Sequence, residues 1–303
     1  MGSMITRLRR RLRKSSKLRP GLQVLNCRSI QFLLGFEKKG EIVTDYLNEI
    51  ELEYDYLSDI GSQIYFEGTF EDDEIDFFQK ILVSDHKPII FDVGANIGIH
   101  TIKWLKQNPK AISYAFEPSS ETRAMLERNI ARNHLTERVK ILKQAVSDRE
   151  GVADFFECED NAFSSLKDTQ RKQAIRSISV PVTTIDQFVE TNHITKISLL
   201  KIDVEGFETE VIAGALETLK HLKPDLFVEI YGGSNSNPDP EATISLICDQ
   251  GYQSFVLVDG NIIPYQKHSD SHYNYYFTYK DINKDIGKYL DSDPSRDRKQ
   301  NHD

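Results

Sequence analysis

Cysteine is scarce in this chain of 303 residues: Cys27, Cys158 and Cys248 are its whole complement. The number is odd and the spacings fit no metal-ligand pattern, which excludes a disulfide-stapled scaffold and a zinc module. Each thiol reads as a small apolar residue or a passive surface group, and a reducing, cytoplasmic interior is the expected setting. Long apolar runs are missing as well. No stretch approaches the roughly 20 residues needed to cross a bilayer, so the expectation is a soluble protein, at most peripheral to a membrane. Tryptophan occurs once, as Trp104, and reads as core. Acids are absent from residues 1–36, which carry nine lysines and arginines although the whole chain has a net charge of −9.

That asymmetry divides the chain. The segment ITRLRRRLRKSSKLRPG holds too little apolar surface to offset ordering entropy, so it reads as a basic tail. Residues 7–19 are open to a weak contact with anionic membrane or nucleic acid; no continuous apolar core follows that would make a secretory signal. From Glu37 to Lys80 the sign flips, with fourteen acids against three lysines. The runs TDYLNEIELEYDYL and SQIYFEGTF suggest short strands. EDDEIDFFQKILV has acids in its first turn and then Ile75, Phe78 and Ile81 at helical spacing, so it reads as a helix. Tyr65, Glu67 and Phe70 are candidates for walling a substrate site.

From residue 88 strands and helices alternate. PIIFDVG is a strand, IGIHTIKWLKQN a helix, AISYAFEP a strand, SSETRAMLERNIARN a helix opening on a serine cap, and VKILKQAV a strand. GVADFFEC and RSISVPVTTI form an antiparallel excursion around the loop NAFSSL. TIDQFVETN reads as a short helix, ISLLKIDV as a fourth parallel strand, FETEVIAGALETLKHL as a helix and PDLFVEIYG as a fifth strand. A helix at 241–250 and the strands QSFVLVDG and YNYYFTYK close the pattern. Such alternation implies a parallel sheet with right-handed crossovers and ligands beyond the carboxyl ends of its strands.

The stretch IIFDVGANIG is the centre of this arrangement. Glycine enters positive-φ conformations without steric cost and lets a ligand approach bare backbone, and the helix N-terminus beyond it favours an anionic or polar cofactor. A nicotinamide dinucleotide would need GxGxxG, whose middle glycine clears room for a pyrophosphate. Here Gly94 is followed by Ala95, Asn96, Ile97 and Gly98, so that glycine is missing. Glu117 ends the second strand, where a carboxylate can accept from both hydroxyls of a ribose. In KIDVEG, alternation along a strand would put Lys201, Asp203 and Glu205 on one side, a costly arrangement unless it lines a wet or liganded site.

Asp92, the GANIG turn, Phe116-Glu117-Pro118, VTTID, LLKIDVEGFE and PDLFVEI together resemble the FkbM-type S-adenosylmethionine-dependent methyltransferases, within the class I Rossmann-like fold. The resemblance covers roughly residues 88–280. It implies a seven-stranded, mostly parallel sheet with an antiparallel last strand, helices on both faces, and S-adenosylmethionine as donor to a hydroxyl of a small-molecule or glycan acceptor. The organisation is then a basic tail (1–36), an acidic cap (37–85), a methyltransferase domain (86–280) and a polar tail (281–303).

By position the resemblance puts Asp92, Gly94, Ala95, Asn96 and Gly98 around the methionine part of the donor, Glu117 at its ribose and Asp148, after Ser147, at the adenine. Asp203 borders the donor, and Asp203 or Glu205, with Glu229 close by, positions or deprotonates the acceptor. The three carboxylates could instead hold Mg²⁺, a hard cation; that reading is not favoured, and no metal ligand is assigned. His100 is either a donor contact or a helix-surface residue, and Ser164 and Ser165 resemble a stretch kept near the site. Two other functions compete: a nucleic-acid methyltransferase using the basic tail, against which stand the acidic domain and the lack of an Asn-Pro-Pro-aromatic motif, and a non-catalytic, membrane-peripheral binding protein.

Overall fold

A computed structural model describes residues 41–46, 50–55, 58–67, 70–158, 160–167, 174–233, 236–258 and 261–280. The basic tail, with the proposed contacts of residues 7–19, and the polar tail from 281 lie outside the described residues. The chain forms two compact units that divide between Asp72 and Asp73. Among the described residues, no helix is long and apolar enough to cross a membrane.

In the first unit β1 (Glu41–Tyr46) pairs antiparallel with β2 (Ile50–Asp55), and α1 (Asp59–Glu67) follows. The SQIYF run is therefore helical and not a strand. Ser58 accepts from the Gly61 N–H at 3.0 Å, a side-chain cap at the helix start, and such capping competes with extended structure. Ile64 and Tyr65 on this helix are buried. Tyr65, Glu67 and Phe70 all belong to this first unit.

The second unit is built on an eight-stranded sheet in the order β12-β11-β13-β10-β9-β3-β4-β5. Strands β3 (Ile89–Val93), β4 (Ile112–Phe116), β5 (Val139–Leu142), β9 (Leu199–Ile202) and β10 (Asp225–Glu229) run parallel. β13 (Asn274–Thr278) is antiparallel to β10 and to β11 (Gln253–Val258). The expected seven strands become eight because β12 (Asn261–Pro264) folds back on β11. Its sequence signal is Asp259-Gly260, a favoured two-residue hairpin pair.

Two further expectations change. VKILKQAV divides into β5 and β6 (Ala145–Val146), and β6 leaves the main sheet to join β8 (Ala174–Thr183) and β7 (Gly151–Cys158) in a three-stranded sheet. Ala145 and Val146 are buried there, Ala145 against Phe155, Val180 and Val182. FETEVIAGALETLKHL is two helices, α6 (Glu208–Ala213) and α7 (Leu216–Leu222). The chain breaks at Gly214, where a Cβ would lie 2.0 Å from the Ser147 carbonyl oxygen.

Helices cover both faces. On one, Phe91, Phe116, Leu200, Ile202, Leu226 and Val228 pack against α5 (Ile185–Thr191), α6, α7 and α8 (Pro240–Cys248). On the other lie α2 (Asp72–Val83), α3 (Ile99–Gln107) and the fully buried Trp104, whose indole donates to the Ile75 carbonyl at 3.2 Å. Phe78 of α2 stacks on Phe227 at 4.7 Å and meets Tyr276 edge-on, worth about 0.5–1.5 kcal/mol per aromatic pair beyond burial. These contacts place α2 on the sheet, although its sequence falls within the acidic segment 37–85. The strand order reverses between β3 and β9, so the crevice for a ligand opens beyond Val93 and Ile202.

Candidate functional site

The glycine turn begins where β3 ends. Gly94 (φ 78°) and Gly98 (φ 91°) both lie in the left-handed region, and Asn96 joins them at φ 48°. Gly94 has a second constraint: a Cβ there would sit 1.8 Å from the Asp203 carbonyl oxygen. The Gly94 and Ala95 N–H groups donate to the Phe116 carbonyl at 3.1 and 3.0 Å, which closes the turn over β4. Gly98 is the N-cap of α3 and no side chain caps that helix, so its first-turn N–H groups face the crevice end with their positive potential.

Beneath the turn lies a charged group that sequence spacing only half predicted. Lys201, 2% exposed, directs its ammonium to the Gly94 carbonyl at 3.0 Å, to Asp203 Oδ2 at 3.1 Å and to Asp92 Oδ1 at 3.4 Å. Asp92 is fully buried. Its Oδ2 accepts from Thr101 at 2.6 Å, while Oδ1 has no hydrogen-bond donor and meets Lys201 only as an ion pair. Asp92 therefore braces Lys201 and α3 from below.

Glu117 sits at the end of β4, 6% exposed. Its Oε2 accepts from the Asn96 N–H at 3.0 Å and its Oε1 from the Ser119 N–H at 2.9 Å. Burial pushes its carboxyl up to about 7 despite those donors. Each oxygen keeps a lone pair for another donor, which is what a vicinal diol supplies. Asp148 is exposed and accepts from the buried Ser147 hydroxyl at 3.0 Å.

Past β9, the carboxylates of Asp203, Glu205 and Glu229 come within 4.8 Å of one another. Strand alternation is not what gathers them, because β9 ends at Ile202 and Glu205 adopts φ 55°. That backbone conformation costs roughly 1–2 kcal/mol in a non-glycine residue, strain of the kind that collects at functional sites. These three oxygen donors are also the set that could hold a hard cation.

Further residues support the site, of which Glu208 had no sequence signal. Ser165, 1% exposed, donates to the Val204 carbonyl at 2.9 Å and so fixes the NAFSSL loop beside the cluster; Ser164 accepts from the Cys158 N–H instead. Glu208 is buried, accepts from the Gly206 N–H at 2.7 Å and from Asn237 at 3.2 Å, and burial pushes it up to about 7. His100 is not the helix-surface residue that one reading made it. It is buried with its ring 5.2 Å from Trp104 and 5.8 Å from Phe227.

Residues 92–254, which contain all of these groups, match the family model described as the methyltransferase FkbM domain. The chain belongs to the FkbM methyltransferase family. Among curated relatives, the 2-O-methyltransferase NoeI of Sinorhizobium fredii is 29% identical over 154 residues, covering 46% of this chain and 61% of that protein. The hexuronic acid methyltransferase AglP of Haloferax volcanii is 28% identical over 166 residues, covering 55% of this chain and 64% of its own length. This FkbM chain thus spans less than two thirds of either relative. Among solved structures, the FkbM methyltransferase of Methylobacillus flagellatus matches with a TM-score of 0.44 at 17% identity, covering 86% of this chain and 59% of that one.

Proposed function

We propose that this chain transfers a methyl group from S-adenosylmethionine to a hydroxyl of a small molecule or glycan. The observation that carries the reading is the carboxylate cluster of Asp203, Glu205 and Glu229 beside a glycine turn whose neighbouring strand ends in Glu117. The residues fit the donor: Glu117 offers two oxygens to a ribose diol, the cluster suits a cationic ligand, and the Gly94–Gly98 turn leaves bare backbone for it. The names of NoeI and AglP, a 2-O-methyltransferase and a hexuronic acid methyltransferase, support a sugar hydroxyl as acceptor.

The donor supplies an already activated methyl group, so the chain needs no covalent chemistry of its own. Its residues align and deprotonate. Lys201 holds Asp203 Oδ2, which fixes the direction of the other oxygen. Asp203 or Glu205 accepts the acceptor hydroxyl's proton as the oxygen attacks, a step worth about 10²–10⁴-fold, and Glu229 orients the same hydroxyl from β10. Asp148 stands ready for the adenine amine at the far end. In this reading the carboxylates act directly, with Lys201 paired to Asp203 beside them, and Mg²⁺ is the less favoured alternative.

Calorimetric titration with S-adenosylmethionine and with NAD, followed by labelled-methyl transfer into a panel of sugars that includes hexuronic acids, tests the proposal. Binding of the methyl donor and label in a hydroxyl are expected. Binding of NAD alone would overturn it, as would wild-type turnover in both Asp203→Asn and Glu205→Gln.

A further inference from the structure

Glu157 lies on β7, in the three-stranded sheet and not in the main one, 38 positions from the residue it touches. It is 4% exposed and both of its oxygens are engaged. Oε1 accepts from the Ser119 hydroxyl at 2.6 Å, and Oε2 is paired with the Arg176 guanidinium of β8. Arg176 also reaches Glu121 in the first turn of α4 (Ser120–Arg132) at 2.9 Å.

Ser119 is the N-cap of α4, and its hydroxyl oxygen accepts from the Thr122 N–H. A capping serine needs only to accept in order to serve the helix. Here its proton also has a fixed destination, a buried carboxylate, so the hydroxyl cannot turn away. The backbone N–H of the same serine donates to Glu117 Oε1 at 2.9 Å. A chain of contacts therefore runs from Arg176 through Glu157 and Ser119 to Glu117. Arg123 closes the turn from the other side, donating to the carbonyls of Glu117 and Pro118 at 3.0 and 2.9 Å.

We infer that Glu157 is a positioning residue for donor recognition: it locks Ser119, and Ser119 aims the Glu117 carboxylate at the ribose diol of the methyl donor. The excursion sheet is then part of the donor site and not only a cover for the main sheet. This rests on the reading of Glu117 as the ribose acceptor. It follows that Glu157 matters to binding only while Glu117 carries a carboxylate.

The test is a double-mutant cycle on the full chain, with S-adenosylmethionine titrated calorimetrically. Glu157→Leu is expected to raise Kd about tenfold, the scale of one lost hydrogen bond to a charged group. Glu157→Gln, which keeps an oxygen for the Ser119 hydroxyl, is expected to stay within about threefold of wild type. In the Glu117→Gln background the effect of Glu157→Leu should shrink below about twofold, since coupled residues are not additive. Ser119→Ala, a small change that tests the same link should Glu157→Leu fail to fold, should lose affinity and show the same dependence on Glu117. Equal tenfold losses in both backgrounds would reduce Glu157 to a structural prop and overturn the inference, and so would wild-type affinity in Glu157→Leu and Ser119→Ala. Failure of the wild-type protein to bind the donor at all would instead overturn the proposed function.

Discussion

Replacing Gly94 by alanine separates two demands that one glycine meets. The first is conformational: at φ 78° an L-residue costs roughly 1–2 kcal/mol. The second is space, because the new Cβ would lie 1.8 Å from the Asp203 carbonyl oxygen and 2.9 Å from its carbon. Neither atom is a side-chain end that can swing aside, so β3 and the post-β9 turn must move apart, at about 1–3 kcal/mol for overpacking. Alanine returns about 0.4–1 kcal/mol by restricting the unfolded chain, leaving a net loss of about 2–4 kcal/mol. Two other glycines calibrate that figure. Gly98→Ala has a similar φ, 91°, but its Cβ would meet the Leu126 Cδ1 methyl at 2.5 Å, a group that can rotate away. Gly151→Ala, at φ 140° with nothing within 4 Å, carries only the backbone cost. Urea unfolding followed by the fluorescence of Trp104, the single tryptophan and one buried in the same unit, should rank the losses Gly94 first, Gly98 second and Gly151 last. Displacing the Asp203 backbone by about an ångström should also lower turnover about 10²-fold, with little such effect in Gly151→Ala. A Gly94→Ala protein as stable as Gly151→Ala would refute the assignment of the turn's tight contact.

Lys201→Met leaves the fully buried Asp92 carboxylate without its counter-ion, and should cost about 3–5 kcal/mol in urea midpoint measurements; adding Asp92→Asn should restore most of that. Glu117 and Glu208 both have folded pKa values raised from 4.5 to about 7 by burial. A raised carboxyl favours the folded state most below its unfolded pKa, and that stability drains away as pH climbs through about 7. Each should give up on the order of 3 kcal/mol between about pH 4.5 and 7. Glu117→Gln and Glu208→Gln, which cannot ionise, should therefore gain on wild type in going from pH 5 to pH 8, as read by urea unfolding at the two pH values. Donor affinity should weaken as pH falls through about 7 in wild type and lose that dependence in Glu117→Gln, by calorimetry. Millimolar Mg²⁺ should leave the melting temperature unchanged; a saturable rise abolished by Glu229→Gln would instead make the carboxylate cluster a cation site.

What was legible in the sequence is what is local. The strand, glycine turn and helix from Ile89 to Gln107 follow from apolar periodicity and two glycines, and Glu117 is marked by ending a strand beside them. Lys201 and Asp203, two residues apart, were predictable as neighbours. That Asp92 also faces Lys201 depends on β3 and β9 lying side by side, with Asp92 paired to Lys201 in register, and no spacing within either strand contains that. The same limit hid Glu157, whose partner Ser119 lies on another element. The break in FETEVIAGALETLKHL was hidden for a related reason: its helical periodicity runs through Gly214, and only the Ser147 carbonyl pressed against that glycine shows why it is there. SQIYF misled in the opposite way, because alternating apolar residues over a short run fit a strand until the Ser58 cap is counted.

If the proposed site is right, its charge balance is a second reason, beside the missing middle glycine, for a methyl donor over a dinucleotide. Asp92 and Asp203 both pair with the Lys201 ammonium, and Asp203 also shares a cluster with Glu205 and Glu229. Two carboxylates within 4.8 Å of each other repel by roughly 3 kcal/mol at an effective dielectric of about 20, a repulsion that an anionic ligand worsens and a cationic one lessens. A pyrophosphate would add to the repulsion. A sulfonium and an amino-acid ammonium would relieve it. On the proposed reading the acids around the glycine turn serve twice: their mutual repulsion favours a cationic donor, and one of them receives the acceptor's proton.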